Sequence, residues 1–372
     1  MRDCFANVVN VSIVSLMFSH IILPSLIHSM RVLNLIPLSV SAEVITTTDE
    51  WGRFPVTFSR TNVVMEGYAA LDLLADGYDF SYGGNDYRNS IRRQLQTATG
   101  LLIQSTGAQT SLSLSFQGRV PGGYSTLQII DNTVLPNVNQ RLEIGASPTS
   151  ALAQSVSSFL ISPTSATRGM IVFDPDHPEQ YAFENQIFYA RQTENPDWGY
   201  MYGSRGYWGV NTAIRFAHSD RLTAPVDPSI PFIPCNVGSR TWRYPDPEPF
   251  YVPAHVIREF ARFAEASGIQ GARRVGEPSS IYLNNVDDSV IASLPTLQYI
   301  VQTEDGQEIN VVNVEPHQYI VPTNVENQRQ VLLAQARIQN FCTFNKPLRD
   351  RMVIHFDAVN QRIGFGEPLV EL

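Results

Sequence analysis

Phe232-Ile233-Pro234-Cys235-Asn236-Val237-Gly238-Ser239-Arg240-Thr241 is an apolar run that ends at a small polar residue and turns on a glycine. A strand running into a tight turn has this form, because glycine supplies backbone angles that other residues resist. The end of the chain, Val353-Ile354-His355-Phe356-Asp357-Ala358-Val359-Asn360-Gln361-Arg362-Ile363-Gly364-Phe365-Gly366, overlaps a stretch, Arg351 to Gly364, that also reads as strand. The rest of the chain can be built from the same strands and tight turns.

Composition says that it is. A chain of 372 residues, 43% hydrophobic and 10% aromatic, can bury a sizeable core as two domains or one bilobal unit. Only 16% of residues are charged, while 23 Gly and 24 Pro punctuate the chain, a balance suited to many short strands joined by turns. The net charge of −9 argues against a nucleic-acid partner, since phosphate affinity comes from clustered Lys and Arg. Arg92-Arg93 and Arg273-Arg274 are isolated pairs, and Lys346 is the single lysine. Three cysteines are too few for a disulfide scaffold and lack metal-ligand spacing.

Residues 1–42 read as a targeting leader. Ala6 to Ile27 is mostly apolar, and a second apolar run, Val32 to Val40, follows Arg31 and ends in Ser39-Val40-Ser41-Ala42. Small residues closing such a run form a signal-peptidase site, placed here after Ala42; the alternative is a signal anchor, the only membrane contact expected. Cys4 and the sequon Asn10-Val11-Ser12 both fall in this leader.

Two halves are expected beyond it, 43–165 and 166–372. In the first, Ala70-Leu71-Asp72-Leu73 and Thr110 to Phe116 alternate with period two, and Gly83-Gly84-Asn85-Asp86 and Pro121-Gly122-Gly123 are turn signals. In the second, Pro253 to Ser267 is the one good helix. Val256, Ile257, Phe260, Phe263 and Ala264 recur at three and four residues before the stop at Gly268. Strands are read at Leu297–Gln302, Ile309–Val314 and Arg351–Gly364.

In this order the segments resemble the C-terminal lobe of the pepsin-like (A1) aspartic proteases. The resemblance is carried by Arg168 to Asp174, by Arg205-Gly206-Tyr207-Trp208-Gly209-Val210, by Ser293-Leu294-Pro295 with Gln318-Tyr319-Ile320, and above all by Val353 to Gly366. It implies a mainly β, bilobal pepsin-like fold with a few short helices. It also places Asn236-Val237-Gly238 where the family carries its second catalytic Asp-Thr-Gly. For the first turn it points to Tyr78-Asp79-Phe80-Ser81-Tyr82-Gly83-Gly84, with Ser81 at the acid position and Gly83 as a turn glycine; Gln104-Ser105-Thr106-Gly107 is a rival. No Asp-Thr-Gly or Asp-Ser-Gly occurs anywhere. The same alignment makes Cys235 and Cys342 neighbours, as paired thiols or a disulfide.

The family's chemistry needs two carboxylates sharing one proton, and an Asn amide can neither take nor give one near neutral pH. The resemblance therefore implies a catalytically inactive homologue that binds a polypeptide or protein partner through its interlobe cleft or lobe surface. It needs no metal and no cofactor, and it resides in the secretory pathway, extracellular or vacuolar. The alternatives are an active aspartic endopeptidase whose acids lie elsewhere, with Asp79 or Asp86 as a candidate, and a structural subunit of a larger complex. Other constellations are weaker. Asp174, Asp176, His177 and Glu179 are interrupted by Pro175 and Pro178 and read as a surface turn. Trp198, Tyr200, Tyr202, Tyr207 and Trp208 are either an aromatic platform or core.

Overall fold

The computed structural model describes residues 43–49, 52–60, 63–74, 78–81, 94–95, 101–105, 111–116, 126–130, 141–165, 167–193, 207–217, 231–238, 249–269, 273–275, 280–335, 342–344 and 346–370. The leader, Gly83, Asp86 and the aromatic residues Trp198, Tyr200 and Tyr202 lie outside them. Residues Ser41–Leu372 make one compact unit, and among the described residues no helix is long and apolar enough to cross a membrane.

Up to residue 165 the strands are β1 (Val44–Asp49), β2 (Arg53–Arg60), β3 (Val63–Asp72), β4 (Tyr78–Ser81), β5 (Gln94–Leu95), β6 (Leu101–Ser105), β7 (Ser111–Phe116), β8 (Thr126–Ile130), β9 (Arg141–Gly145) and β10 (Ser158–Ser165). Then come β11 (Arg168–Phe173), β12 (Phe188–Arg191), β13 (Gly209–Ala217), β14 (Ile233–Asn236), β15 (Phe250–Val252), β16 (Arg273–Val275), β17 (Ser280–Asn284), β18 (Thr296–Gln302) and β19 (Glu308–Val314). The last are β20 (Ile320–Pro322), β21 (Gln328–Val331), β22 (Leu333–Gln335), β23 (Cys342–Thr343), β24 (Val353–Asp357) and β25 (Arg362–Gly366).

Strands β2 to β9 form an eight-stranded sheet in the order β5-β4-β9-β3-β2-β8-β7-β6. The second half builds a five-stranded sheet, β19-β18-β13-β14-β23, with a four-stranded one, β16-β17-β21-β20, and the parallel pair β15-β22. A six-stranded sheet, β1-β11-β10-β24-β25-β12, draws on both halves. The expected boundary near residue 165 falls inside it, in the turn of the β10–β11 hairpin.

This arrangement follows from which residues can be buried. Phe159 of β10, Trp208 and Phe356 of β24 meet as a cluster, with ring centroids 4.8 Å apart for Phe159–Phe356 and 5.1 Å for Trp208–Phe356. All three are inaccessible to solvent, and each such side chain contributes about 1.5–3 kcal/mol. Tyr207 and Trp208 are therefore core, not platform. The helix Ala254–Ala266 presents the expected face, with Val256, Ile257, Phe260 and Ala264 buried. Phe260 meets Phe216 of β13 at 6.2 Å and Tyr319 at 6.0 Å. The helix stops at Gly268, whose φ of +76° suits glycine. Tyr319 in turn donates its hydroxyl to the Pro295 carbonyl at 2.7 Å, tying together two segments singled out in the sequence.

Candidate functional site

Two turns of the same construction meet at the centre. β3 ends at Asp72 and pairs in parallel with β9, with Asp72 opposite Gly145, and the Ala146 N–H donates to the Asp72 carbonyl at 2.8 Å. β14 ends at Asn236 and pairs in parallel with β23, with Asn236 opposite Thr343, and the Phe344 N–H donates to the Asn236 carbonyl at 2.7 Å. In each case a strand ends in a polar residue, and the residue just past its register partner holds that residue's carbonyl. One chain of bonds links the halves: the Val237 N–H donates to the Trp208 carbonyl at 2.5 Å, and the Trp208 indole N–H donates to the Ala146 carbonyl at 2.7 Å.

The turns touch through Gly238. A Cβ built there would lie 2.7 Å from the Leu73 Cβ, closer than such atoms approach, so a glycine is needed for the turns to meet. Asp72, Leu73, Asn236, Val237 and Gly238 are all buried. Asp72 accepts a hydrogen bond from the Leu74 N–H at 3.0 Å on its own Oδ1, the bracing expected of a carboxylate that ends a strand.

The segment facing the Asn236 turn is thus Asp72-Leu73-Leu74, where the sequence pointed to Ser81. Ser81 lies in β4 with Arg141 as its register partner, at the end of β9 remote from Gly145. The rival Gln104-Ser105 belongs to β6, at the other end of the sheet. The physical reason is that Leu73 and Leu74 follow Asp72 where Val237 and Gly238 follow Asn236, and both are buried, so Ala70-Leu71-Asp72-Leu73 passes for uninterrupted strand. The overlooked signal is a carboxylate directly after the apolar run Tyr68 to Leu71 in a chain whose other turn follows Ile233-Pro234-Cys235.

Cys235 and Cys342 are register partners with Cα atoms 4.7 Å apart, and a disulfide joins them. Directly beyond it, the chain strands polar atoms. Asn236 is 1% exposed and neither its Oδ1 nor its Nδ2 has a hydrogen-bond partner, and the Thr343 Oγ1 beside it has none either. Each buried orphan costs about 1–3 kcal/mol.

Neither a scan of family models nor a search of curated proteins finds a match. Among solved structures, basic 7S globulin from soybean superposes with a TM-score of 0.50, covering 87% of this chain and 96% of that chain at 14% identity. The fold is pepsin-like. The aspartic proteinase from Irpex lacteus is also similar, with a TM-score of 0.49, 14% identity, and coverage of 88% of this chain and 97% of that one. In this pepsin-like fold the paired central turns are 72–74 and 236–238. Leu73 and Val237 occupy their second positions.

The six-stranded sheet of the pepsin-like fold holds a second polar cluster, which the sequence did not reveal. His355 of β24 and Tyr189 of β12 both pair with Gly364 of β25. The Tyr189 ring passes over Gly364, its Cε1 only 2.8 Å from where a Cβ would stand, and its hydroxyl bonds His355 Nδ1 at 2.9 Å. His355 is 4% exposed and its Nε2 has no partner. Burial pushes its pKa from the ordinary 6.5 to about 4, against the pull of Asp357. Arg362 lies over the Tyr189 ring at 4.0 Å and donates its Nε to Asp357 Oδ2 at 2.8 Å. Burial raises the Asp357 pKa, but the hydrogen bonds from Asn360 and Arg362 bring it below the ordinary value.

The remaining sequence candidates sit apart. Asp174 accepts hydrogen bonds from the Ser157 and Ser158 N–H groups on one oxygen, while His177 pairs with Glu179 at 3.3 Å on the surface. Asp79 lies in β4 opposite Glu143 of β9. His255 Nε2 is 3.4 Å from the Ile214 carbonyl, and burial lowers its pKa. His317 is exposed.

Proposed function

We propose that this chain is a non-catalytic protein of pepsin-like fold that holds an extended polypeptide of a partner between its lobes. Asn236 is the observation that carries the reading. It stands in the turn built like that of Asp72, so the pair offers one carboxylate and one amide. A dyad that shares a proton needs two carboxylates, one to accept a proton from water and one to donate to the carbonyl. The amide does neither, which removes general-base catalysis worth about 10²–10⁴ in rate. Leu73 and Val237, both apolar, add no hydroxyl to either turn. Holding a strand by backbone hydrogen bonds does not need the acids. The apolar leader ending at Ala42 supports delivery through the secretory pathway.

The test is incubation with a denatured protein from about pH 4 to 6, with folding followed by fluorescence. No new peptide termini are expected, and a statine-containing peptide should gain no affinity over the same peptide without the statine. Hydrolysis that is abolished by Asp72→Asn would refute the proposal and make the chain an endopeptidase using a single acid.

A further inference from the structure

We propose that the groove between β12, β19 and the segment after β25 docks an extended segment of a partner protein. That segment carries apolar side chains at alternate positions, is flanked by basic residues, and adds as a strand to the open edge of β19. This is a surface separate from the cleft, since none of the groove's lining residues belongs to 72–74 or 236–238.

Three independent features converge there. The first is apolar exposure. Of five large hydrophobic residues exposed among the described ones, Phe183, Phe188 and Leu369 line this single groove of about 800 Å³, at 50%, 41% and 56% exposure. Scattered apolar residues are ordinary on a surface, but a cluster of them rimmed by polar groups marks a binding face, and the volume is in the range of ligand-holding clefts.

The second feature is an open ladder. β19 ends its five-stranded sheet, and among the described residues no strand pairs with its outer side. An edge strand leaves half of its N–H and C=O groups facing outward, available to an incoming strand. The edge is also interrupted: Tyr299 pairs with Val312 and Ile300 with Asn310, so Val311 is a bulge. A bulge bends and shortens the pairing edge, which suits one short peptide better than open-ended stacking.

Charge is the third. Glu184 and Glu367 line the groove and Arg351 is the one basic residue among its lining. Glu308, exposed, stands at the start of β19. Two carboxylates to one guanidinium around the exposed Phe183, Phe188 and Leu369, on a chain of net charge −9, favour a segment with basic flanks.

The probe is a short synthetic peptide of alternating valine and threonine with lysines at both ends, labelled and titrated with the full chain by fluorescence anisotropy at neutral pH. Phe188→Asp and Leu369→Asp are each expected to weaken binding about tenfold or more, with unchanged circular dichroism because both positions are exposed. Glutamates in place of the lysines should abolish binding. N-methylation of alternate amides should weaken it on one edge of the peptide and not on the other. Equal binding by both N-methylated forms, or no binding at all, would overturn the proposal. So would a concentration-dependent dimer that Phe188→Asp disperses, which would assign the groove to a second copy of this chain. The cleft reading is tested by acid-pH hydrolysis and Asp72, so either can fail alone.

Discussion

His355 should make the protein lose stability in mild acid, and His355→Gln should remove most of that loss. The buried ring meets Tyr189 edge-on, on a strand where His355 pairs with Leu160 and Gly364, and faces Asp357, Arg362 and Glu179. Unfolded, the imidazole titrates near the ordinary 6.5; folded, burial holds it near 4. Between these values the unfolded chain binds a proton that the folded chain does not, so stability is full above 6.5 and falls as the pH drops toward 4. At about 1.4 kcal/mol per pH unit, this window corresponds to about 3 kcal/mol. Glutamine keeps an acceptor for the Tyr189 hydroxyl and never charges. It should cost about 1 kcal/mol at pH 7 through lost packing while flattening the acid slope. Asp357 acts elsewhere: with its folded pKa depressed, its contribution is lost below about 3.8. His255 shifts in the same direction as His355, but it is common to both proteins and cancels in the difference. The assay is urea unfolding followed by tryptophan fluorescence at intervals from pH 7 to 4. Parent and variant curves that differ by a constant across this window would refute the reasoning.

Three further outcomes follow from contacts described above. Asn236→Leu should stabilise the fold by about 1–3 kcal/mol by replacing an orphaned amide with an apolar group of similar size; a lower urea midpoint would mean that the amide is engaged. Gly238→Ala should cost about 1–3 kcal/mol, rescued by Leu73→Gly but not by Leu73→Ala, because the clash is with the Leu73 Cβ itself. A double-mutant cycle reads this directly. Gly364→Ala should destabilise by a similar amount, since its Cβ would meet Tyr189 and Ile187, and a shift of the His355 imidazole resonances would report displacement of Tyr189.

The fold was largely legible from the second half of the chain. The period-three-and-four spacing of Val256, Ile257, Phe260 and Ala264 marks a helix wherever it is buried, and Ile233-Pro234-Cys235-Asn236 ends at a glycine turn that local chemistry announces. The first half hid its turn because Leu73 and Leu74 satisfy packing where a glycine or hydroxyl would have broken the strand pattern. Gly83 and Gly84 instead mark a turn beside Ser81, a strand residue. The Tyr189–His355–Arg362 cluster was hidden for a different reason. Its members are 166 residues apart in the bond between Tyr189 and His355, and only the register of three strands brings them over Gly364.

The six-stranded sheet also constrains biosynthesis. β10 is complete by residue 165, yet its neighbour β24 begins at Val353, so one side of β10 has no partner until almost the whole chain has been synthesised. Pairings of such long sequence separation form slowly, and an uncovered strand edge invites intermolecular pairing meanwhile. Nascent chains, and any product of translation halted before Val353, are accordingly the species most in need of chaperone protection.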